Sequence, residues 1–346
     1  MTNLATPVVT TRGALAPVLT SAVDLIGNTP LVELTHVGAG LGPRVFAKLE
    51  SRNPGGSAKD RIALSMIREA EASGELAPGA TIVESSSGNT GIGLALVGRL
   101  TGHPVIIIHS GFISSEKKTV LLAYGAELIE ADWEAGPDDP NNARKIADRV
   151  AAETPGAWRS SQYENAANPL AHYRTTGPEI WEQTGGSITH FVAGIGTGGT
   201  VTGSGRYLKE VSDGRVRVIG ADPVGSTYSG SESSTIVVDG VGTRWPQPNW
   251  PGIFDNTVTD EIRVIPDERV YDTVRRLAME EGLLLGPSSG LAIAVALDVA
   301  AEGEPGDVIV VIAPDGGNNY LSKAFNDEWL ASAGMNADGF ADGSSD

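Results

Sequence analysis

Cysteine is absent from all 346 residues. That excludes disulfides, thiolate nucleophiles and cysteine-ligated metal or iron–sulfur centres. Basic residues are scarce: 25 Lys and Arg stand against 43 Asp and Glu, a formal charge of −18. A surface of that sign repels nucleic acid and anionic membranes, so neither is expected as a partner, although a local anion site is compatible with it. No apolar run approaches the roughly 20 residues needed to cross a bilayer. The opening MTNLATPVVTTRGALAPVLTSAV lacks a basic segment followed by an apolar core, so it does not read as a secretory signal. The expectation is a cytoplasmic enzyme of small molecules with no metal site.

What is present is ordinary for a soluble chain: 40% hydrophobic and 20% charged residues. The length exceeds what one core usually holds, so two domains are expected. Short apolar runs alternate with amphipathic segments. The strand candidates are RVFAKLE, TIVES, PVIIIH, AELIEA, THFVAG, VRVIGAD and VIVVIAP, mostly continuous runs suited to strands buried on both faces. The helix candidates are 60–72, 91–100, 115–124, 142–153, 200–211, 267–281 and 291–301. This alternation predicts an α/β fold with mainly parallel sheets. ADWEAGPDDPNN reads as an exposed loop.

Four Gly- or Ser-rich turns stand where a strand gives way to a helix, the place where open α/β sheets bind ligands. SSSGNTG, 85–91, gathers hydroxyls, an amide and backbone N–H groups into a cup suited to a carboxylate; its serines and asparagine are equally ordinary N-caps. GIGTGGT, 194–200, lets the backbone approach an anion at a helix start and reads as a phosphate cradle. It also fits G-x-G-x-x-G through Gly194, Gly196 and Gly199, with Asp222 ending the next strand, which keeps an NAD-binding oxidoreductase open as a rival. LGPSSG, 285–290, offers Ser288 or Ser289 as an N-cap or as a neutral hydroxyl partner for a ring nitrogen. NPGGSAKD, 53–60, places Lys59 at a helix start, against the unfavourable end of the helix dipole. A lysine alone there is most often a surface cation. An aldehyde-trapping lysine, a phosphate cradle, a carboxylate cup and a ring-nitrogen partner together form the set that pyridoxal 5'-phosphate needs.

The motifs NPGGSAKDRI, SSSGNTGIGLA, SQYENAANPLAHYRTTGPEIW, GIGTGGTVTG and GPSSG resemble the fold-type-II pyridoxal-phosphate enzymes of the cysteine synthase / cystathionine β-synthase family. The likeness runs from IGNTPLVEL at 26–34 to NYLSKAFNDEW at 319–329. QYENAANPLAHY, VIGADPVGSTYSG and NYLSKAFNDEW look closer to the cystathionine β-synthase catalytic core. The resemblance implies two open, mainly parallel twisted sheets flanked by helices, as in tryptophan synthase β-like folds, and a homodimer. It implies that Lys59 carries the cofactor and moves the Cα proton, and that Asn89 bonds its phenolic oxygen. Gly196, Thr197, Gly198, Gly199 and Thr200 would hold its phosphate, and Ser288 would face its pyridine nitrogen. Ser86, Ser87, Thr90 and Gln162 would bind the amino-acid carboxylate, with Gly240 lining the second substrate's entrance.

The reaction implied is β-replacement on L-serine or an activated serine (O-acetylserine or O-phosphoserine) through an aminoacrylate. A sulfur nucleophile, sulfide or homocysteine, would give cysteine or cystathionine. An amine nucleophile, a serine/threonine dehydratase and a non-catalytic relative remain alternatives. The expected domains are a smaller mobile one at 54–165 and a larger cofactor-binding one at 22–53 plus 166–330. A flexible arm is expected at 1–21 and an acidic disordered tail at 331–346. The heme site and the regulatory tandem domain of some relatives are expected to be missing. Two departures from the relatives' pattern raise further candidates. His109 ends a strand where relatives carry a proline-containing triplet, and is either a satisfied strand-end histidine or a selector of nucleophile or leaving group. Arg244, in GVGTRWPQP, is either a surface residue or a partner for an anionic leaving group or an incoming carboxylate.

Overall fold

The computed structural model describes residues 18–111, 113–132, 135–136 and 138–335. Most of the expected arm and tail, and part of the loop after 131, lie outside these. Of the arm, Ser21 caps a short 3-10 helix, Ala22–Leu25. Of the tail, residues 331–335 close the last helix, and Met335 is buried in the core.

Two sheets form. The strands are, in chain order, β1 (Leu31–Glu33), β2 (Arg44–Leu49), β3 (Ile82–Ser85), β4 (Val105–Ser110) and β5 (Glu127–Ala131). They continue with β6 (Trp158–Arg159), β7 (His190–Gly194), β8 (Arg217–Pro223), β9 (Glu261–Ile265) and β10 (Val308–Ala313). The larger sheet has the order β1-β2-β10-β7-β8-β9, parallel except for β1, and the smaller the order β5-β4-β3-β6, parallel throughout. The seven apolar runs in the sequence are all strands. β10, VIVVIA, sits centrally and is buried along its whole length, as a β-branched run covered on both faces should be. The three strands without such a run are β1, β6 and β9. They lie at sheet edges, where pairing on one side alone tolerates short or charged sequences such as Glu261-Ile-Arg263.

The helices are α1 (Lys59–Ser73), α2 (Asn89–Thr101), α3 (Ser115–Ala123), α4 (Ala143–Glu153) and α5 (Ala167–Ala171). A π-helical turn, His172–Thr176, leads into α6 (Gly177–Gln183). Then come α7 (Gly199–Val211), α8 (Asp267–Glu280), α9 (Pro287–Glu302) and α10 (Asp327–Ser332). α9 begins a turn earlier than its apolar pattern suggests, because Pro287 occupies the first helical turn, where a missing N–H costs nothing. Ser288 and Ser289 are therefore inside the helix and are not its caps. The run 167–183 escaped the sequence reading: NPLAHYRTTGPEIW mixes Pro, Gly and Thr with apolar residues, and it is held helical by packing on α1 and α7. Among the described residues no helix is long and apolar enough to cross a membrane.

A buried ionic network fixes the start of α1. Arg61 donates from Nε to Glu50 at 2.6 Å and from Nη1 to Glu179 at 2.6 Å. Lys48 reaches the second Glu179 oxygen at 2.7 Å, and Thr29 donates to Glu50 at 2.7 Å. These residues come from the segment before β1, β2, the turn after it, α1 and α6, so the network ties the lysine-bearing helix to the large sheet. Breaking one member strands the other charges away from water. Arg61→Ala should lower the unfolding free energy by about 3–5 kcal/mol, read from urea titration, because it leaves the fully buried Glu50 uncompensated.

Candidate functional site

A cavity of about 600 Å³ lies between the two sheets, at the carboxyl ends of β3, β4, β7 and β10. Six helices begin at it, α1, α2, α3, α4, α7 and α9. α1, α2, α7 and α9 have Ala58, Gly88, Gly198 and Gly286 at the cap, none of which closes the helix with a side chain. By contrast α3, α4 and α10 are capped by Ser114, Asn142 and Asn326. Uncapped first turns present N–H donors and the positive end of the helix dipole to a ligand.

Lys59 is the first residue of α1, and its half-buried side chain reaches the cavity. Ala58 N–H donates to the Pro314 carbonyl at 2.8 Å, and Ser57 pairs with Asp315, so the end of β10 holds the lysine turn in place. Loss of water around the ammonium lowers the Lys59 pKa, with Asp315 and Glu50 pulling the other way. An amine whose charged form is disfavoured is better able to act as nucleophile and base.

In the cradle, Gly198 adopts φ +85° and a Cβ there would strike Phe254; a Cβ on Gly196 would fall 2.5 Å from the Gly240 carbonyl oxygen. Only glycines permit this course, and it brings the predicted Gly240 turn against the cradle. Gly242 N–H seals the contact by donating to Ile195 O at 2.7 Å. Two residues brace the threonines from α5 and the π turn. Asn168 donates to Thr197 Oγ1 at 3.3 Å and to Gln162 O at 2.8 Å. His172 Nε2 lies 3.1 Å from Thr200 Oγ1, and its Nδ1 lies 2.9 Å from Thr176 Oγ1. Burial holds the His172 pKa down to about 3, so the imidazole is neutral. A neutral imidazole donates at one of these two contacts and accepts at the other, so it holds both threonine hydroxyls in fixed directions.

The cup is equally tied together. Thr90 donates to Gln162 Oε1 at 2.7 Å, and Ser87 exchanges a 2.7 Å hydrogen bond with Ser110. Ser86 Oγ accepts from Gly88 N at 3.3 Å and Gly91 N at 3.2 Å, so this serine also serves as a helix-start acceptor. Asn89 donates to Asp315 Oδ2 at 2.7 Å. The buried Asp315 also accepts from Tyr320 at 2.6 Å, while its Oδ1 has no partner. Burial raises the Asp315 pKa, against the hydrogen bonds from Tyr320 and Asn89. Ser288 faces the cavity with no hydrogen bond to its hydroxyl among the described residues.

Lys59, Ser86, Ser87, Asn89, Thr90, Gln162, Gly196, Thr197, Gly198, Thr200, Gly240, Arg244 and Ser288 thus line one cavity. Gly199 packs behind the cradle against Asn168. His109 does not line it: alternation along β4 sends Ile108 and Ser110 toward the cavity and buries His109 on the other face, its Nδ1 3.0 Å from Ser110 O. Asp222, which an NAD site needs at a ribose, is fully buried under Ser229 N–H and lines no part of it. The sequence reading missed Asp315, Lys117, Tyr320, Arg144 and Lys323. Asp315 alone carried a signal: it follows a buried parallel strand at its carboxyl end.

The parts fit a phosphorylated pyridine aldehyde: a cradle that any Cβ would fill, an amine with no hydrogen-bond partner among the described residues, and a free hydroxyl. The comparisons agree. The family model described as pyridoxal-phosphate dependent enzyme matches residues 23–315. Cysteine synthase B of Escherichia coli is 45% identical over 297 residues, 86% of this chain and 93% of that one. Cystathionine beta-synthase of Oryctolagus cuniculus is 41% identical over 92% of this chain and 58% of its own length. The crystal structure of O-ureido-L-serine synthase superposes with a TM-score of 0.83 at 37% identity, covering 91% of this chain and all of that one. His172→Ala should weaken pyridoxal phosphate binding about tenfold, the worth of one ordinary hydrogen bond, by equilibrium dialysis. Because the imidazole is neutral above about pH 3, the loss should be the same at pH 6 and pH 8.

Proposed function

The chain belongs to the pyridoxal-phosphate dependent enzymes, and from that premise we propose that it catalyses β-replacement on an activated L-serine with a sulfur nucleophile. The observation that carries this reading is one cavity holding Lys59, a carboxylate cup and an uncharged Ser288. Bound pyridoxal phosphate supplies an electron sink for the substrate's Cα. The residues of Gly196–Thr200 would hold its phosphate and Asn89 its phenolic oxygen, and Ser288 would be the partner of its ring nitrogen. A hydroxyl there keeps no proton on the ring as a carboxylate would, which limits charge build-up on the ring and favours loss of the β-substituent over transamination.

Lys59 carries the cofactor and moves the proton at Cα, its lowered pKa leaving an amine suited to that task. The Ser86–Thr90 turn and Gln162 orient the substrate's carboxylate, which aligns the Cα–H bond with Lys59. Arg244, on the cavity wall, meets an anionic leaving group or the carboxylate of an incoming amino acid. The segment 54–165, which contains the whole smaller sheet, closes on the bound carboxylate against 22–53 plus 166–330. The working form is a cytoplasmic homodimer, as the family likeness suggests. Relatives named cysteine synthase and cystathionine beta-synthase support sulfide or homocysteine as the nucleophile.

The test is to offer L-serine, O-acetyl-L-serine and O-phospho-L-serine separately, then sulfide, homocysteine or an amine, and to identify products by mass spectrometry. An activated serine should release acetate or phosphate and yield cysteine or cystathionine. Pyruvate and ammonia without adduct would identify a dehydratase, and 2,3-diaminopropionate an amine-using enzyme. Lys59→Ala should lower kcat by about 10²–10⁴-fold with the better serine derivative.

A further inference from the structure

Lys117 is a second lysine in the cavity, and neither the motifs nor the chemistry above uses it. It stands in the first turn of α3 and is 8% exposed. Its ammonium donates one hydrogen bond, to Tyr320 Oη at 3.1 Å. Tyr320 in turn donates to Asp315 at 2.6 Å. The Tyr320 ring also lies beneath the ammonium, 4.3 Å from Nζ to the centroid.

Among the described residues no carboxylate lies within 4.0 Å of Lys117, whereas the neighbouring Lys323 is paired with Asp239 at 3.0 Å. This buried ammonium has one neutral acceptor, and Asp315, Asp239 and Glu116 favour its charge only from beyond ion-pair distance, an arrangement that an anionic ligand in direct contact would improve. The ammonium lies close to Gly88. A Cβ built on Gly88 would lie 4.0 Å from Lys117 Nζ, so the ammonium sits beside the Ser86–Thr90 cup. The cup otherwise offers hydroxyl, amide and backbone donors without a formal positive charge.

We propose that Lys117 is a substrate-binding residue: its ammonium pairs with the carboxylate of the amino-acid substrate as that group enters the cup. Tyr320 holds the ammonium in place, and Asp315, which accepts from both Tyr320 and Asn89, links it to the residue assigned to the cofactor's phenolic oxygen. The assignment deepens the amino-acid reading of this cavity and rests on it. It gives the site a charge-based preference for a free carboxylate over an amide or ester.

The experiment titrates wild-type, Lys117→Gln and Lys117→Arg holoenzymes with L-serine, O-phospho-L-serine and L-serinamide, reading Kd from the change in the cofactor's visible band. An unchanged band before titration shows that each variant is folded and loaded. Lys117→Gln should raise Kd for L-serine and O-phospho-L-serine about tenfold to a hundredfold, the worth of a charge-assisted hydrogen bond. Lys117→Arg should recover part of the loss, and L-serinamide should bind wild type and variant alike. Equal weakening of all three ligands would reveal a merely structural lysine and overturn the assignment. A loss confined to O-phospho-L-serine would place the ammonium at the leaving group and overturn it too. Identical titrations of wild type and Lys117→Gln would overturn the role of Lys117 alone. A wild type that responds to none of the three would overturn the amino-acid reading, and this assignment with it.

Discussion

The bridge from Arg61 to Glu50 and Glu179 is the interaction on which the rest of the site depends. Arg61 sits two residues beyond Lys59 on α1, and its guanidinium reaches the turn after β2 and the helix α6 at once. A lysine that must leave water at a helix start has no reason of its own to stay there, since both desolvation and the helix dipole oppose its charge. The ionic network supplies the anchoring from beneath, in an interior where its partners are Glu50, Glu179, Lys48 and Thr29. The lysine side chain is then free of structural duty, and it meets the cavity with no hydrogen bond among the described residues.

The same division recurs around the cavity. Of the helices that begin at the cavity, α1, α2, α7 and α9 start at alanine or glycine with no side chain at the cap position, whereas α3 and α4 start at Ser114 and Asn142, which cap them. Polar side chains near these starts also brace one another. Thr197 and Thr200 are braced by Asn168 and His172, and Thr90 is joined to Gln162. Asn168 bonds both the Gln162 carbonyl and Thr197, so the carboxylate cup and the phosphate cradle share one rigid contact. Preorganised donors of this kind cost little to arrange when the ligand arrives.

Much of this was legible in the sequence because it depends on local pattern. β10 and β4 are unbroken β-branched runs, and each of the four ligand turns announces itself by glycine and serine in order. β6, at two residues, and the π turn at His172 depend on neighbours distant in the chain, and no local pattern marks them. The split between the faces of β4 explains why Ser110 reaches the cavity and His109 does not, although the two are adjacent. Arg144, over the Tyr163 ring at 4.1 Å, and Lys117 read as ordinary helix-start cations until the fold turns them inward. A charge of −18 spread over the chain gave no hint of that local cationic lining.

Three lysines line this cavity, Lys59, Lys117 and Lys323, and the account requires that only the one on α1 carries the cofactor. Holoenzyme reduced with borohydride, digested and analysed by tandem mass spectrometry tests that requirement most directly. The account predicts a single pyridoxyl phosphate adduct, on the peptide containing Lys59 and at that residue. An adduct on Lys117 or Lys323, or no adduct on any of the three in a protein that binds the cofactor, would contradict it.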